Sequence, residues 1–174
     1  VTEPRDEPRQ DLSIASGSEQ ETVALGRALG ASLSHGDAVL LTGELGAGKT
    51  TLVRGMAQGT GSPEPARSPT FVLLIAYPGA LTLHHCDLYR IASEAEADDL
   101  ALDECLEDGA LVVEWAERAR NALPRDALQV AFDVDVEAGV RTISFLAGGP
   151  ASDSLLQRTV AAIAAPAPRP EPAT

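Results

Sequence analysis

At 174 residues, 44% of them hydrophobic, the chain is long enough for one domain with a sizeable core; one Trp, two Tyr and three Phe leave that core to Ala, Leu and Val. Its formal charge of −13 argues against a broad basic surface for nucleic acid or anionic lipid, so any nucleic acid is expected to be held by a partner. No apolar run approaches the roughly 18 residues of a membrane span, no signal peptide is expected, and Cys86 and Cys105 suit free thiols in a reducing cytoplasm.

Residues 1–11 are polar with prolines at 4 and 8 and predict a disordered tail, and the Pro/Ala-rich residues 164–174 predict another, leaving a single domain over 12–163. Leu12 to Ala15 predicts a short edge strand. Ser18-Glu19-Gln20-Glu21 fits a capping box and should open a helix with Leu25, Ala28, Leu29 and Leu33 as its apolar stripe, ending before Gly36.

Ala38-Val39-Leu40-Leu41-Thr42 is an apolar run that predicts a buried parallel strand. It leads into Gly43-Glu44-Leu45-Gly46-Ala47-Gly48-Lys49-Thr50, which fits G-x-x-x-x-G-K-[ST], a phosphate-binding loop. Thr51 to Gln58 then spaces Leu52 and Met56 as a helix does, closing at Gly59 to Gly61. Glycines let the backbone curl so that N–H groups meet phosphate oxygens at the positive end of a helix. Lys49 would reach the β- and γ-phosphates as a mobile point charge, and Thr50 would ligate Mg²⁺ through its hydroxyl. Lys49 is the only lysine; the other twelve basic residues are arginines, whose planar fork would not serve at this spot.

Ser62 to Ser68 is a proline-containing loop leading to Ser68-Pro69-Thr70-Phe71. Thr70 has the spacing of a switch that senses a γ-phosphate, and equally that of a proline turn entering a strand. Phe71 to Tyr77 and Leu81 to Cys86 predict a hairpin about Pro78-Gly79. Ile91 to Gly109 holds eight acidic residues and no basic one, with Leu100, Leu102 and Leu106 as the buried contacts of helical turns. A small-molecule phosphate-loop kinase closes an arginine-bearing lid over anionic substrates, and this acidic segment would repel them.

Ala110 to Val113 is another buried-strand run, ending at Glu114-Trp115. Asp87 and Glu114 both follow strand runs, where a carboxylate can hold Mg²⁺ or orient the attacking water. His84, His85 and Cys86 invite a zinc reading, but no second ligand pair is visible; His85 is instead placed to help fix Asp87. Trp115 is expected in the core or an interface. Leu128 to Val136 and Arg141 to Leu146 alternate as an antiparallel hairpin, and Ser152 should open a last helix. The expected architecture is α/β: a three-layer P-loop NTPase fold, its mixed, largely parallel central sheet extended by antiparallel strands.

These pieces together resemble one family, TsaE (also called YjeE), the bacterial ATPase of the tRNA threonylcarbamoyladenosine pathway. The match runs from about Ser18 to Ala147. It is carried by residues 43–51, Ser-Pro-Thr-Phe at 68–71, His-Cys-Asp-Leu-Tyr-Arg at 85–90, Leu-Asp-Glu at 102–104 and Glu-Trp-Ala-Glu-Arg at 114–118. The resemblance implies an ATP- and Mg²⁺-dependent hydrolase that docks on the TsaB–TsaD pair, where TsaD modifies the adenosine beside the anticodon. It implies nucleotide contacts at Gly43, Gly46, Ala47, Gly48, Lys49, Thr50 and Thr51, Mg²⁺ ligands at Thr50 and Glu114, and an acid important for hydrolysis at Asp87. It also points to Glu19, because the start of the first helix contacts nucleotide in the family. Ala116 stands where many members have proline and Ala101 where a glycine often precedes Leu-Asp-Glu; neither change removes a chemical group.

Overall fold

The structure, a computed structural model, describes residues 11–69 and 73–165. The tails expected at either end lie outside the described residues, apart from Asp11, which opens the first strand, Ala164, which closes the last helix, and Ala165, which caps it. Thr70 and Phe71 also lie outside the described residues.

The elements are β1 (Asp11–Ser16), α1 (Glu19–Ser32), β2 (Ala38–Thr42), α2 (Lys49–Gly59), β3 (Leu74–Tyr77), β4 (Thr82–Asp87), α3 (Glu94–Asp98), α4 (Cys105–Asp108), β5 (Gly109–Glu114), β6 (Leu128–Asp135), β7 (Val140–Ala147) and α5 (Pro150–Ala164). Short 3₁₀ turns cover Leu102–Glu104 and Ala116–Ala122. The strands form one seven-stranded sheet in the order β1-β7-β6-β2-β5-β4-β3. β6, β2, β5 and β4 run parallel at its centre, and β1, β7 and β3 add antiparallel edges. This is the expected α/β architecture. Among the described residues no helix is long and apolar enough to cross a membrane.

Strand alternation divides the apolar residues between two faces. Val39 and Leu41 of β2 and Val112 of β5 join a core with Leu29 of α1, Leu52 and Met56 of α2, and Leu155 of α5. Leu40, Leu111 and Val113 point the other way, toward Ile91, Ala97, Leu102 and Cys105. Leu102 is buried as expected, while Leu100 and Leu106 pack only partly against that second core. Helices on both faces of the sheet give the three layers.

On the first face, α1 and α2 meet backbone to backbone. A Cβ on Gly26 would lie 2.2 Å from the Leu52 carbonyl oxygen, one on Gly30 2.2 Å from that of Met56, and one on Gly55 2.2 Å from that of Val23. This close packing ties the first helix to the helix that carries Lys49 and Thr50.

Local details depart from the sequence expectations in instructive ways. Ser18 caps α1 by accepting from the Glu21 N–H, but the Glu21 carboxylate reaches back to the N–H of Gly17, one residue before the cap. The last helix opens at Pro150 and not at Ser152, because Asp126 accepts from the N–H groups of Ala151 and Ser152 and supplies a cap from a distant loop. Ala101 has φ +47°, a left-handed conformation that costs a non-glycine residue roughly 1 kcal/mol.

Candidate functional site

The loop after β2 is shaped by close approach. Gly43 has φ +139°, and a Cβ there would lie 2.9 Å from both Cβ and the carbonyl oxygen of Phe132, so only glycine fits. Gly48, at φ +111°, precedes α2 without a side-chain cap, and the first turn of α2 carries no acidic residue. The positive end of an 11-residue helix is therefore left to an anion.

A cavity of about 330 Å³ lies over this loop, lined by Leu45 to Thr51, Ser68, Pro69, Leu73, Asp87, Tyr89, Arg90, Glu114 and Trp115. Lys49 is only 4% exposed. Its Nζ donates to the carbonyls of Gly43 (2.6 Å) and Glu44 (2.8 Å) and stands 3.8 Å from the centroid of the Trp115 ring. Burial pushes the ammonium pKa down, against the opposing pull of Glu114, Glu117 and Asp87. Trp115 reaches this position through a left-handed backbone, φ +60°. Its ring is thus a wall of the cavity as well as a neighbour of the second core, beyond the core or interface role expected from sequence.

The parallel pairing of β4 with β5 sets Asp87 directly opposite Glu114. Both face α2, and both are nearly buried, at 8% and 3% exposed. Glu114 accepts from the Thr50 hydroxyl at 2.8 Å (Oε1) and 3.1 Å (Oε2). Asp87 accepts from the Tyr89 N–H at 2.9 Å and the Ser68 hydroxyl at 3.2 Å. The second of these bonds ties the acid to the start of the Ser-Pro-Thr-Phe stretch.

His85 was expected to fix Asp87, but its Nε2 lies 2.9 Å from Glu114 Oε1. The physical reason is reach: the diagonal neighbour on the next strand has the longer side chain, whereas Asp87 is short and already engaged by Ser68 and Tyr89. The ring is fully buried, and Nδ1 has no partner among the described residues, so the proton it donates is on Nε2. His84 instead pairs with Asp108 at 2.7 Å, and burial pushes the Cys86 thiol pKa up to about 12. Among the described residues no group of three or more His, Cys, Asp or Glu is placed to hold a metal.

Of the residues singled out from sequence, Lys49, Thr50, Thr51, Gly46, Ala47, Gly48, Asp87 and Glu114 come together at the cavity, and Gly43 touches Lys49 through its carbonyl. Thr70 lies outside the described residues. Glu19 is not among the residues that line this cavity; it forms an ion pair with Arg54 of α2, the cation one turn past the phosphate loop. Among the arginines near the motifs, Arg90 lines the cavity and Arg118 stands 5.2 Å from the Tyr89 ring and 5.8 Å from that of Trp115. The Arg67 N–H donates to the Tyr77 hydroxyl instead. Arg141 entered the sequence reading only as the start of a strand, since no local motif marks it, yet the structure brings it near the loop: a Cβ built on Gly48 would lie 3.6 Å from its Cδ and Nε.

The donor set fits Mg²⁺. Thr50 and Glu114 offer hard oxygens in mutual contact beside the loop, and Mg²⁺ binds through one or two carboxylates plus water and substrate phosphates rather than in an all-protein cage.

Comparison with known proteins agrees with this geometry. The family model described as threonylcarbamoyl adenosine biosynthesis protein TsaE matches residues 16–143. The tRNA threonylcarbamoyladenosine biosynthesis protein TsaE of Treponema pallidum is 42% identical over 124 residues, covering 71% of this chain and 92% of that protein. The protein of the same description from Bacillus subtilis is 42% identical over 113 residues, covering 64% of this chain and 70% of the relative. The crystal structure of Bacillus subtilis YdiB superposes with a TM-score of 0.73 at 31% identity, covering 90% of this chain and 98% of that one. With the family model matching well over half of its length, the chain belongs to the TsaE family.

Proposed function

We propose that this chain is a Mg²⁺-dependent ATPase that acts with TsaB and TsaD in forming N6-threonylcarbamoyladenosine beside the tRNA anticodon. The observation that carries the reading is the Thr50–Glu114 contact next to the buried ammonium of Lys49, in a cavity walled by a second carboxylate, Asp87. Lys49 binds the β- and γ-phosphates, exchanging its carbonyl partners for phosphate oxygens. Thr50 and Glu114 hold Mg²⁺, which when bound supplies charge neutralisation at those phosphates. Asp87, steadied by Ser68 and the Tyr89 N–H, orients the attacking water or takes its proton. Thr70 is assigned the sensing of the terminal phosphate, and the Ser68–Asp87 bond ties the start of the same stretch to the acid. Hydrolysis then resets the complex for another tRNA. The strongly acidic surface fits a cytoplasmic subunit that meets tRNA through its partners.

Two outcomes are expected. The purified chain turns ATP over slowly, and TsaB–TsaD raises the rate more than about ten-fold by ordering the site or supplying a charge. An unchanged rate would overturn the coupling, and ATP binding without turnover in either condition would leave a nucleotide-gated docking subunit. Next, His85→Leu leaves Glu114 without its buried donor and raises the Mg²⁺ concentration for half-maximal hydrolysis by roughly 10-fold or more. His85→Gln, which can still donate, recovers part of the shift. A Mg²⁺ titration superimposable on wild type would remove His85 from this role.

A further inference from the structure

Tyr77 closes β3, and its antiparallel partner there is Leu83 of β4. It is 2% exposed, and a buried phenol hydroxyl needs hydrogen-bond partners. It finds two, both on one residue of the loop that precedes β3. The hydroxyl accepts from the Arg67 N–H at 2.9 Å and donates to the Arg67 carbonyl at 3.1 Å. One side chain thus does for Arg67 what a neighbouring strand would do, pairing both of its backbone groups.

Prolines leave this loop short of backbone donors. Pro63, Pro65 and Pro69 have no N–H to give, and residues 65–69 belong to no helix or strand. Ala66, next to the gripped residue, is buried in the first core. Ser68 follows on the other side, and its hydroxyl donates to Asp87 Oδ2 at 3.2 Å. The other oxygen of that acid, Oδ1, is held within the acid's own turn by the Tyr89 N–H. The loop therefore supplies one of the contacts that orient Asp87. A bond of 3.2 Å is lost if Ser68 backs away by roughly half an ångström, so the place of Arg67 decides whether it forms.

We propose that Tyr77 is a positioning residue for hydrolysis: by gripping both backbone groups of Arg67 it sets the place of Ser68, and through Ser68 the orientation of Asp87 toward the attacking water. Tyr77 itself is not among the residues that line the cavity. The proposal rests on the reading of Asp87 given above.

The test compares ATP hydrolysis with TsaB–TsaD present, and equilibrium ATP binding in Mg²⁺, for wild type, Tyr77→Phe, Ser68→Ala and the double variant. Tyr77→Phe keeps the ring against His85, whose centroid lies 6.3 Å away, and removes only the grip on Arg67. It should lower kcat about ten-fold, and Ser68→Ala should lower it as far. ATP affinity and the Mg²⁺ concentration for half-maximal hydrolysis should stay within roughly two-fold in Tyr77→Phe, since Lys49, Thr50 and Glu114 keep their contacts. The double variant should be at most about two-fold slower than the slower single variant, because both changes act on one contact. A Tyr77→Phe kcat within about two-fold of wild type would overturn the proposal and leave Tyr77 a residue of stability alone. ATP binding lost in step with kcat would overturn it too, as would losses that multiply in the double variant. A wild-type chain that binds ATP without hydrolysing it would instead bring down the reading of Asp87, and this proposal with it.

Discussion

Lys49→Ala is expected to lower kcat/KM for ATP hydrolysis on the order of 10²–10³-fold, measured with TsaB–TsaD present. The size of the effect follows from what remains. Lys49 is the only lysine of the chain, and the cavity would keep the carboxylates of Asp87 and Glu114 without the ammonium between them and the phosphates. Burial adds to the loss, because a charge shielded from water by Trp115 acts through a lower dielectric than a surface lysine would. Lys49→Arg should not rescue, since the planar fork is bulkier than the ammonium seated between the Gly43 and Glu44 carbonyls. Glu114→Ala should fall in the same range while binding nucleotide more weakly in Mg²⁺ than without it. Lys49→Ala turnover within three-fold of wild type would sink the assignment of the site.

Gly55→Ala is expected to destabilise the protein by about 3 kcal/mol, at the upper end of what overpacking costs. The added Cβ would lie 2.2 Å from the Val23 carbonyl oxygen and 2.9 Å from the Gly26 Cα, and both obstacles are backbone that no rotamer change can move aside. α1 and α2 must separate, and the layer that buries Leu29, Leu52 and Met56 opens with them. Thermal unfolding should register a fall in Tm of roughly 6–12 °C for a chain of this size. Because α2 begins at Lys49, nucleotide binding should weaken in the same variant. A Tm within 2 °C of wild type would mean that the two helices can part without loss.

Much of the architecture was legible because its signals are local. β2 and β5 are apolar on both faces, as central parallel strands must be, while β6 and β7 alternate as an antiparallel hairpin with one solvated face does. Signals that depend on a distant partner were misplaced or missed. Ser152 looks like a cap, but Asp126, folded in from another loop, supplies the acceptor that lets α5 begin at Pro150. The pairing of Glu19 with Arg54 arises only because α1 packs on α2, a contact that no local pattern announces. His85 seemed to serve its neighbour Asp87, two residues on, but the adjacent strand offered Glu114.

The sequence by itself determined the phosphate loop, because strand, glycine turn and helix start are contiguous and each glycine answers a backbone demand within a few residues. It also marked Asp87 and Glu114 as strand-end acids. Only the tertiary structure decided which acid meets Thr50, where His85 donates, and that Arg141 comes near Gly48. Those contacts join residues dozens of positions apart. They depend on sheet order and register, which the packing of the whole chain sets and no local pattern encodes.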